Sequence, residues 1–174
     1  MQRQKKGIIL LGSANSRGET FKVAHCLSLA TGFPIVDLKT KSIGGFDYEF
    51  KNRGDDFLPL IKDIVANYDL IVFATPVYWY TMSGLLKTFF DRLSDCLMIE
   101  KETGRKLRGM EMAVLSCGVD QILKAGFHMP FRETAKYLGM HYLADVHTWL
   151  AKEKIPAIVE NNLQEFIDQI CLKN

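Results

Sequence analysis

The sequence predicts an α/β fold of three layers: a five-stranded parallel sheet in the order 2-1-3-4-5, with helices on both faces. Three observations predict it. Five short apolar runs alternate with five stretches whose apolar residues recur at helical spacing, which implies parallel strands joined by right-handed crossovers. Ile8–Leu11 and Leu70–Ala74 are continuously apolar, as strands covered on both faces must be. The stretches of unusual composition follow the first, third and fourth runs, and for this strand order a ligand crevice opens beyond the ends of the first and third strands. At 174 residues, 48% apolar and 24% charged, the chain reads as one domain spanning residues 1–174.

In chain order, Gly7 and Gly12 bound the first strand, Ile8–Leu11. The first helix follows with Val23, Leu27 and Ala30 on one face, and it ends at Gly32. Pro34–Leu38 reads as strand two. Residues 39–54 are irregular and carry Gly44-Gly45 with Phe46, Tyr48 and Phe50. A loop of this length reads either as functional or as a solvated connector with anchoring aromatics. Asp55 or Asp56 caps the next helix, in which Phe57, Leu60, Ile61, Ile64, Val65 and Tyr68 form one apolar stripe. Pro76 ends the strand that starts at Leu70, and Ser83 caps a helix turning Leu86, Phe89, Phe90 and Leu93 inward. Residues 96–108 read as a second long, charged connection, in the form of a short hairpin or flap. Met110–Ser116 is the fourth strand, and residues 118–128 are mostly loop. Pro130 fits the first turn of a helix that buries Phe131, Thr134, Ala135 and Leu138 and stops at Gly139. His141–Thr148 is strand five, and Pro156 opens a last helix with Val159, Leu163, Phe166, Ile167 and Ile170 inward.

The loops after strands one, three and four carry the chemistry. Gly12-Ser-Ala-Asn-Ser-Arg-Gly18 between a strand and a helix start gathers backbone N–H groups at a positive helix end, which suits a phosphate. Its bland reading is an ordinary turn. Thr75–Gly84 sets three aromatics, Tyr78, Trp79 and Tyr80, side by side. Adjacent strand residues point to opposite faces, so at least one of them must reach a ligand or a partner. Ser116 and Gly118 are small enough to let a ring approach the backbone. A phosphate cradle beside flat aromatics points to a mononucleotide-type cofactor.

Composition narrows the classes. A net charge of +2, with no basic run longer than Arg3–Lys6, gives no footprint for nucleic acid. The apolar runs are too short to insert in a membrane or to act as a signal peptide, so a cytoplasmic address is expected. Cys26, Cys96, Cys117 and Cys171 are scattered, which argues against a zinc site, a cysteine-ligated cluster or a disulfide framework and makes most of them small buried filler. His25, His128, His141 and His147 likewise lack metal-ligand spacing, so no metal is expected.

Gly12-Ser-Ala-Asn-Ser-Arg-Gly-Glu-Thr20 resembles the phosphate loop of the NADPH-dependent FMN reductase family of flavodoxin-like proteins. Thr75-Pro-Val-Tyr-Trp-Tyr-Thr-Met-Ser-Gly-Leu-Leu-Lys-Thr-Phe-Phe-Asp-Arg92 resembles that family's longer second motif. The resemblance runs from about Gly7 to Trp149. It implies a flavodoxin-like sandwich, bound FMN, and NADPH or NADH as reductant. By that resemblance Ser13, Asn15, Ser16, Gly18, Glu19 and Thr20 line the FMN phosphate. Pro76, Val77, Tyr78, Trp79 and Tyr80 hold one side of the flavin ring, and Ser116, Cys117 and Gly118 lie at its pyrimidine edge. Asn15 and Glu19 stand where the family often has Arg and Asn, and Arg17 is the neighbouring cation. The cofactor carries the redox chemistry, so no side chain is expected to be catalytic; Tyr78, Tyr80 and His128 are the candidates to touch an acceptor.

The implied reaction is hydride transfer from NAD(P)H through FMN to a small acceptor, such as a quinone, a flavin, or an azo or nitro compound. The resemblance also implies a homodimer or homotetramer. A flavodoxin-like electron carrier, or a flavin-binding regulatory module without turnover, is the other reading; such carriers are usually strongly acidic, and this chain is mildly basic. A dinucleotide-binding dehydrogenase or a P-loop kinase is excluded, because Gly12 to Thr20 matches neither glycine fingerprint.

Overall fold

The computed structural model describes residues 5–172; Arg3 and Gln4 of the basic run lie outside them. Five parallel strands pair in the order β2-β1-β3-β4-β5, as expected. They are β1 (Gly7–Leu11), β2 (Ile35–Asp37), β3 (Leu70–Pro76), β4 (Glu111–Cys117) and β5 (His141–Thr148). The helices are α1 (Glu19–Thr31), α2 (Phe57–Asn67), α3 (Gly84–Met98), α4 (Lys101–Leu107), α5 (Met129–Leu138) and α6 (Ala157–Cys171). Every residue of β1 and β3 is buried, which explains why those two runs are apolar throughout.

The alternation of side chains along the strands sorts the core into two layers. On one face Ile8, Leu10, Ile71, Phe73 and Val114 pack with residues of α2, α3 and α5. Phe73, Phe90 and Phe131 meet there, with ring centroids 4.8 Å apart for Phe73–Phe90 and 5.3 Å for Phe90–Phe131. On the other face Ile9, Leu11, Val72, Ala74 and Leu115 pack against Val23 and Leu27 of α1 and Leu163, Phe166 and Ile170 of α6. Ala30, expected on that inner face, is exposed.

Residues 96–108 correct the sequence reading. They are neither hairpin nor flap: α3 continues to Met98, and α4 follows after two residues. Thr103 and Leu107 are buried, and a Cβ on Gly104 would lie 2.2 Å from the Cys96 carbonyl oxygen, so α4 lies directly on α3. A seven-residue helix is too short for its period to stand out against its charges. The cysteines are also only half as expected: Cys96 and Cys117 are buried, whereas Cys26 and Cys171 are exposed, and all four are free.

The long connection from β2 to α2 is organised by one side chain. Arg92 of α3 is 1% exposed. It pairs with Asp95 at 2.8 Å and Asp55 at 2.5 Å, and donates to the carbonyls of Gly44 at 3.0 Å and Asn52 at 3.1 Å. Its guanidinium carbon also lies 4.9 Å from the centroid of Phe57. Asp55 in turn accepts from the N–H groups of Gly44 and Phe57, the latter opening α2. Burial pushes the Asp55 carboxyl up, but Arg92 and the two N–H donors outweigh it and hold that carboxyl below its ordinary value.

Candidate active site

The register places the carboxyl ends of β1, β3 and β4 side by side: Leu11 pairs with Ala74, Thr75 with Ser116, and Pro76 with Cys117. The three loops singled out in the sequence therefore leave the sheet together, at the switch in strand order. They are also stitched to one another. Gly12 N–H donates to Ala74 O at 2.8 Å, Ser83 Oγ donates to Gly12 O, and Val77 N–H donates to Cys117 O at 2.8 Å.

Loop one is built for close approach. A Cβ on Gly12 would lie 2.6 Å from the Leu86 Cβ, so only glycine lets the loop pass under α3. Ser13 is buried, and its hydroxyl donates to Asn15 O while accepting from Asn15 N–H. Asn15 Oδ1 accepts from Arg17 N–H at 3.1 Å. Gly18 is the N-cap of α1 and no side chain caps that helix, which leaves its first-turn N–H groups and its positive end facing outward. Thr20 is buried; Asn15, Arg17 and Glu19 are exposed. Among the described residues neither Arg17 nor Glu19 has an ion-pair partner. This donor set fits a phosphate, with one free cation to meet it and one carboxylate to oppose it.

Loop two carries backbone strain. Tyr78 and Thr81 exchange two backbone hydrogen bonds, of 3.0 and 3.1 Å, and between them Trp79 and Tyr80 have φ of 47° and 66°. This is a two-residue turn with both central residues left-handed, a geometry that normally takes Asn or Gly. For two bulky aromatics it costs roughly 1–2 kcal/mol each. Trp79 is nevertheless 91% exposed and Tyr80 62%. Burial of the rings within the chain does not repay the strain.

Loop three closes the site. A Cβ on Gly118 would sit 3.3 Å from both Val77 and the His147 ring, so its smallness lets the backbone pass between them. Ser116 is fully buried and faces His147, with Ser116 Oγ 2.9 Å from His147 Nδ1. Cys117 is packed into the core beside Leu115, and burial pushes its thiol up, which leaves a protonated sulfur and no thiolate nucleophile. Between loops two and three lies a cavity of about 240 Å³, walled by Val77, Trp79 and Tyr80 on one side and residues 118–120 and 122–124 on the other, with His147 also lining it.

Two histidines exchange prominence. His128, a candidate for acceptor contact, borders a different cavity, and its Nδ1 lies 3.3 Å from Asp145 Oδ1. Asp145 also accepts from Arg132 and from the Tyr142 hydroxyl. Burial lowers the His128 pKa against the opposing pull of Asp145, which favours the neutral ring. His147 was not singled out in the sequence. The signal available there was its place one residue before the end of a strand beside the crevice.

The chain also resembles known proteins in sequence and in fold. The model of the family described as NADPH-dependent FMN reductase matches residues 6–154. YwqN of Bacillus subtilis (strain 168), which carries the name of an NAD(P)H-dependent FMN-containing oxidoreductase, is 41% identical over 64 residues, or 37% of this chain and 32% of YwqN. The chain thus aligns with only about a third of that relative's length. Among solved structures, the Trp repressor binding protein from Bacillus subtilis superposes with a TM-score of 0.76 at 20% identity, covering 97% of this chain and 100% of that one. An FMN-dependent NADH-azoreductase from Bacillus anthracis, solved with FMN, superposes with a TM-score of 0.67 at 15% identity, covering 96% and 97%. At those identities the likeness is one of fold, and it is the flavodoxin-like sandwich.

Proposed function

The chain belongs to the NADPH-dependent FMN reductase family, and from that premise we propose that it is an FMN-dependent NAD(P)H oxidoreductase that reduces a small acceptor: a quinone, a flavin, or an azo or nitro compound. The observation that carries the proposal is the meeting of the uncapped N-terminus of α1 with a strained, exposed aromatic turn, on loops that leave adjacent strand ends. When bound, FMN supplies two-electron hydride chemistry, so the protein needs no nucleophile of its own.

The roles of the residues follow from what each presents. Ser13, Asn15, Ser16, Gly18 and Thr20, with the first turn of α1, would hold the phosphate, and Arg17 would offset Glu19 there. Pro76, Val77, Tyr78, Trp79 and Tyr80 would form one wall for the flavin ring. Ser116, Cys117 and Gly118 would form the edge opposite, where a small and neutral surface lets a ring lie close. The cavity between loops two and three would take the nicotinamide and then the acceptor. The phenol groups of Tyr78 and Tyr80, both on exposed residues, could donate a hydrogen bond to an acceptor oxygen.

We further propose that the chain works as a homodimer or homotetramer. Trp79, Val119 and Ile122 are 91%, 94% and 81% exposed around one cavity, and a second copy over that rim would both remove apolar surface from water and exclude water from the site.

The test is a visible absorption spectrum of the purified protein under anaerobic conditions, first with FMN and then with NADPH or NADH. Retained flavin bands that bleach with the nicotinamide are expected. Bands that persist would make the chain a carrier or a sensor, and failure to retain FMN would remove the enzyme reading altogether.

A further inference from the structure

We propose that His147 is a positioning residue for the site: a clamp that holds the third loop at Asp120 and so fixes the width of the cavity. The inference rests on the proposed FMN site only for its functional consequence; the clamp itself is a property of this chain.

The clamp is read from two contacts on one ring. His147 Nε2 lies 2.8 Å from the backbone carbonyl oxygen of Asp120, and Nδ1 lies 2.9 Å from Ser116 Oγ. A carbonyl can only accept, so Nε2 carries the hydrogen and donates it. In the neutral ring Nδ1 is then the acceptor, and the Ser116 hydroxyl donates to it. The other acceptor within reach of that hydroxyl, Val146 O, is farther away at 3.4 Å. Of the two neutral tautomers the partners together select Nε2–H, and they use both ring nitrogens. Ser116 is fully buried on β4 and pairs in register with His147 on β5, so the ring is anchored from the rigid side and reaches out to the loop.

Leu123 packs against the core, and apart from it the loop is held mainly at its two ends. Gly118 N–H donates to Thr148 O at the start, and Phe127 N–H donates to Lys124 O near the end. Among the described residues the bond to His147 is the one tertiary hydrogen bond made by residues 119–123. Val119 and Ile122 are 94% and 81% exposed and contribute little packing. Yet these residues form one wall of the cavity whose other wall is Val77, Trp79 and Tyr80, and His147 lies in its lining. Removing the ring donor would leave the Asp120 carbonyl without a protein partner and release that wall.

The experiment compares the wild-type chain with His147→Leu and His147→Gln. Leu keeps the bulk and loses both hydrogen bonds; Gln has an amide N–H that can still reach Asp120. Backbone amide exchange at Gly118 and Phe127, whose hydrogen-bonded N–H groups stand at the two ends of the loop, measured without added FMN, is expected to rise about threefold to tenfold in the Leu variant, the size of one net hydrogen bond, and to return toward wild type in the Gln variant. The FMN dissociation constant is expected to follow the same order. Unchanged exchange in the Leu variant, or a Gln variant that behaves like Leu, would overturn the clamp. Should the Leu variant not fold, nitrogen NMR of the wild-type imidazole decides: an Nε2–H tautomer with a slowly exchanging proton is required, and an Nδ1–H tautomer overturns it. A wild-type chain that takes up no FMN would sink the functional reading, while exchange and tautomer would still decide the clamp.

Discussion

Two connections on the same side of the sheet lead into helices on the same face, and they are built in opposite ways. Residues 41–56, leading into α2, hold Phe46 against Tyr48 and Phe50 and send carbonyls inward to a buried arginine. Residues 77–83, leading into α3, turn their rings to solvent and hold two aromatics in left-handed backbone. In the first, a charge taken out of water is met by two carboxylates and two carbonyls. In the second, strain is borne with both rings exposed, whereas the one left-handed aromatic of the first, Phe50 with φ 54°, is half-buried beside Phe46. The contrast separates a connection whose work is to hold the fold from one whose work is to present a surface.

Breaking the first connection has the largest expected effect. Arg92→Met leaves Asp95, which is 2% exposed, without its buried partner, and it unties Gly44 and Asn52. A loss of about 3–5 kcal/mol is expected in denaturant unfolding. Acid attacks the same network. The folded Asp55 carboxyl sits below its ordinary value of 3.8, so its contribution is fully present above that value and is lost as pH falls through the lowered one. Wild type should therefore lose Tm more steeply than Asp55→Asn below about pH 4. Equal slopes would remove Asp55 from the account.

Breaking the second connection should cost binding and spare the fold. Replacing both Trp79 and Tyr80 with Gly suits the left-handed backbone, so stability should rise by about 1–2 kcal/mol. FMN affinity should fall about tenfold or more with the loss of both ring faces. Calorimetric unfolding and a fluorescence titration of FMN read the two effects separately. A variant that loses stability as well would place this turn in the same class as the Arg92 connection.

How much of this was legible in the sequence follows the same line. The strands, their order and the stretches that meet at the crevice were legible, because a doubly covered parallel sheet demands continuous apolar runs and short punctuated turns. Ser83 was legible as a cap and accepts from Leu86 N–H as expected. Arg92 was not. Its side chain looks like one more charge on an amphipathic helix, and its partners Asp55, Gly44 and Asn52 lie far away in sequence. The aromatic turn was legible as unusual, yet its left-handed geometry was not, since neither Trp79 nor Tyr80 is a turn residue. The His147 clamp depends on a carbonyl, and no pattern of side chains reports what a carbonyl faces.

A second turn in the molecule separates the backbone from the rings. Ala151 and Lys154 exchange the same two backbone hydrogen bonds, and Lys152 and Glu153 between them have φ of 49° and 66°. The backbone matches the aromatic turn, but the side chains are charged and exposed, with Glu153 3.6 Å from Lys22. Lys152→Gly should therefore relieve strain by about 1 kcal/mol and leave FMN affinity where it was. If FMN affinity fell here too, the left-handed backbone rather than the aromatic rings would be the common cause.

The smallest effect expected is at loop one, where the helix end favours an anion and Glu19 does not. Glu19 is the first residue of α1 and is exposed. Two like charges near each other in water at contact distance repel by about 1 kcal/mol, less when salt screens them. Glu19→Gln should then tighten FMN by about twofold to fivefold at low salt, and the gain should shrink as salt is added. Riboflavin, which lacks the phosphate, should show no such gain. That difference ties the effect to the phosphate, because a general change in the site would move both ligands together. An equal gain for riboflavin would detach Glu19 from the phosphate and leave the helix end and Arg17 as the electrostatic basis of the loop.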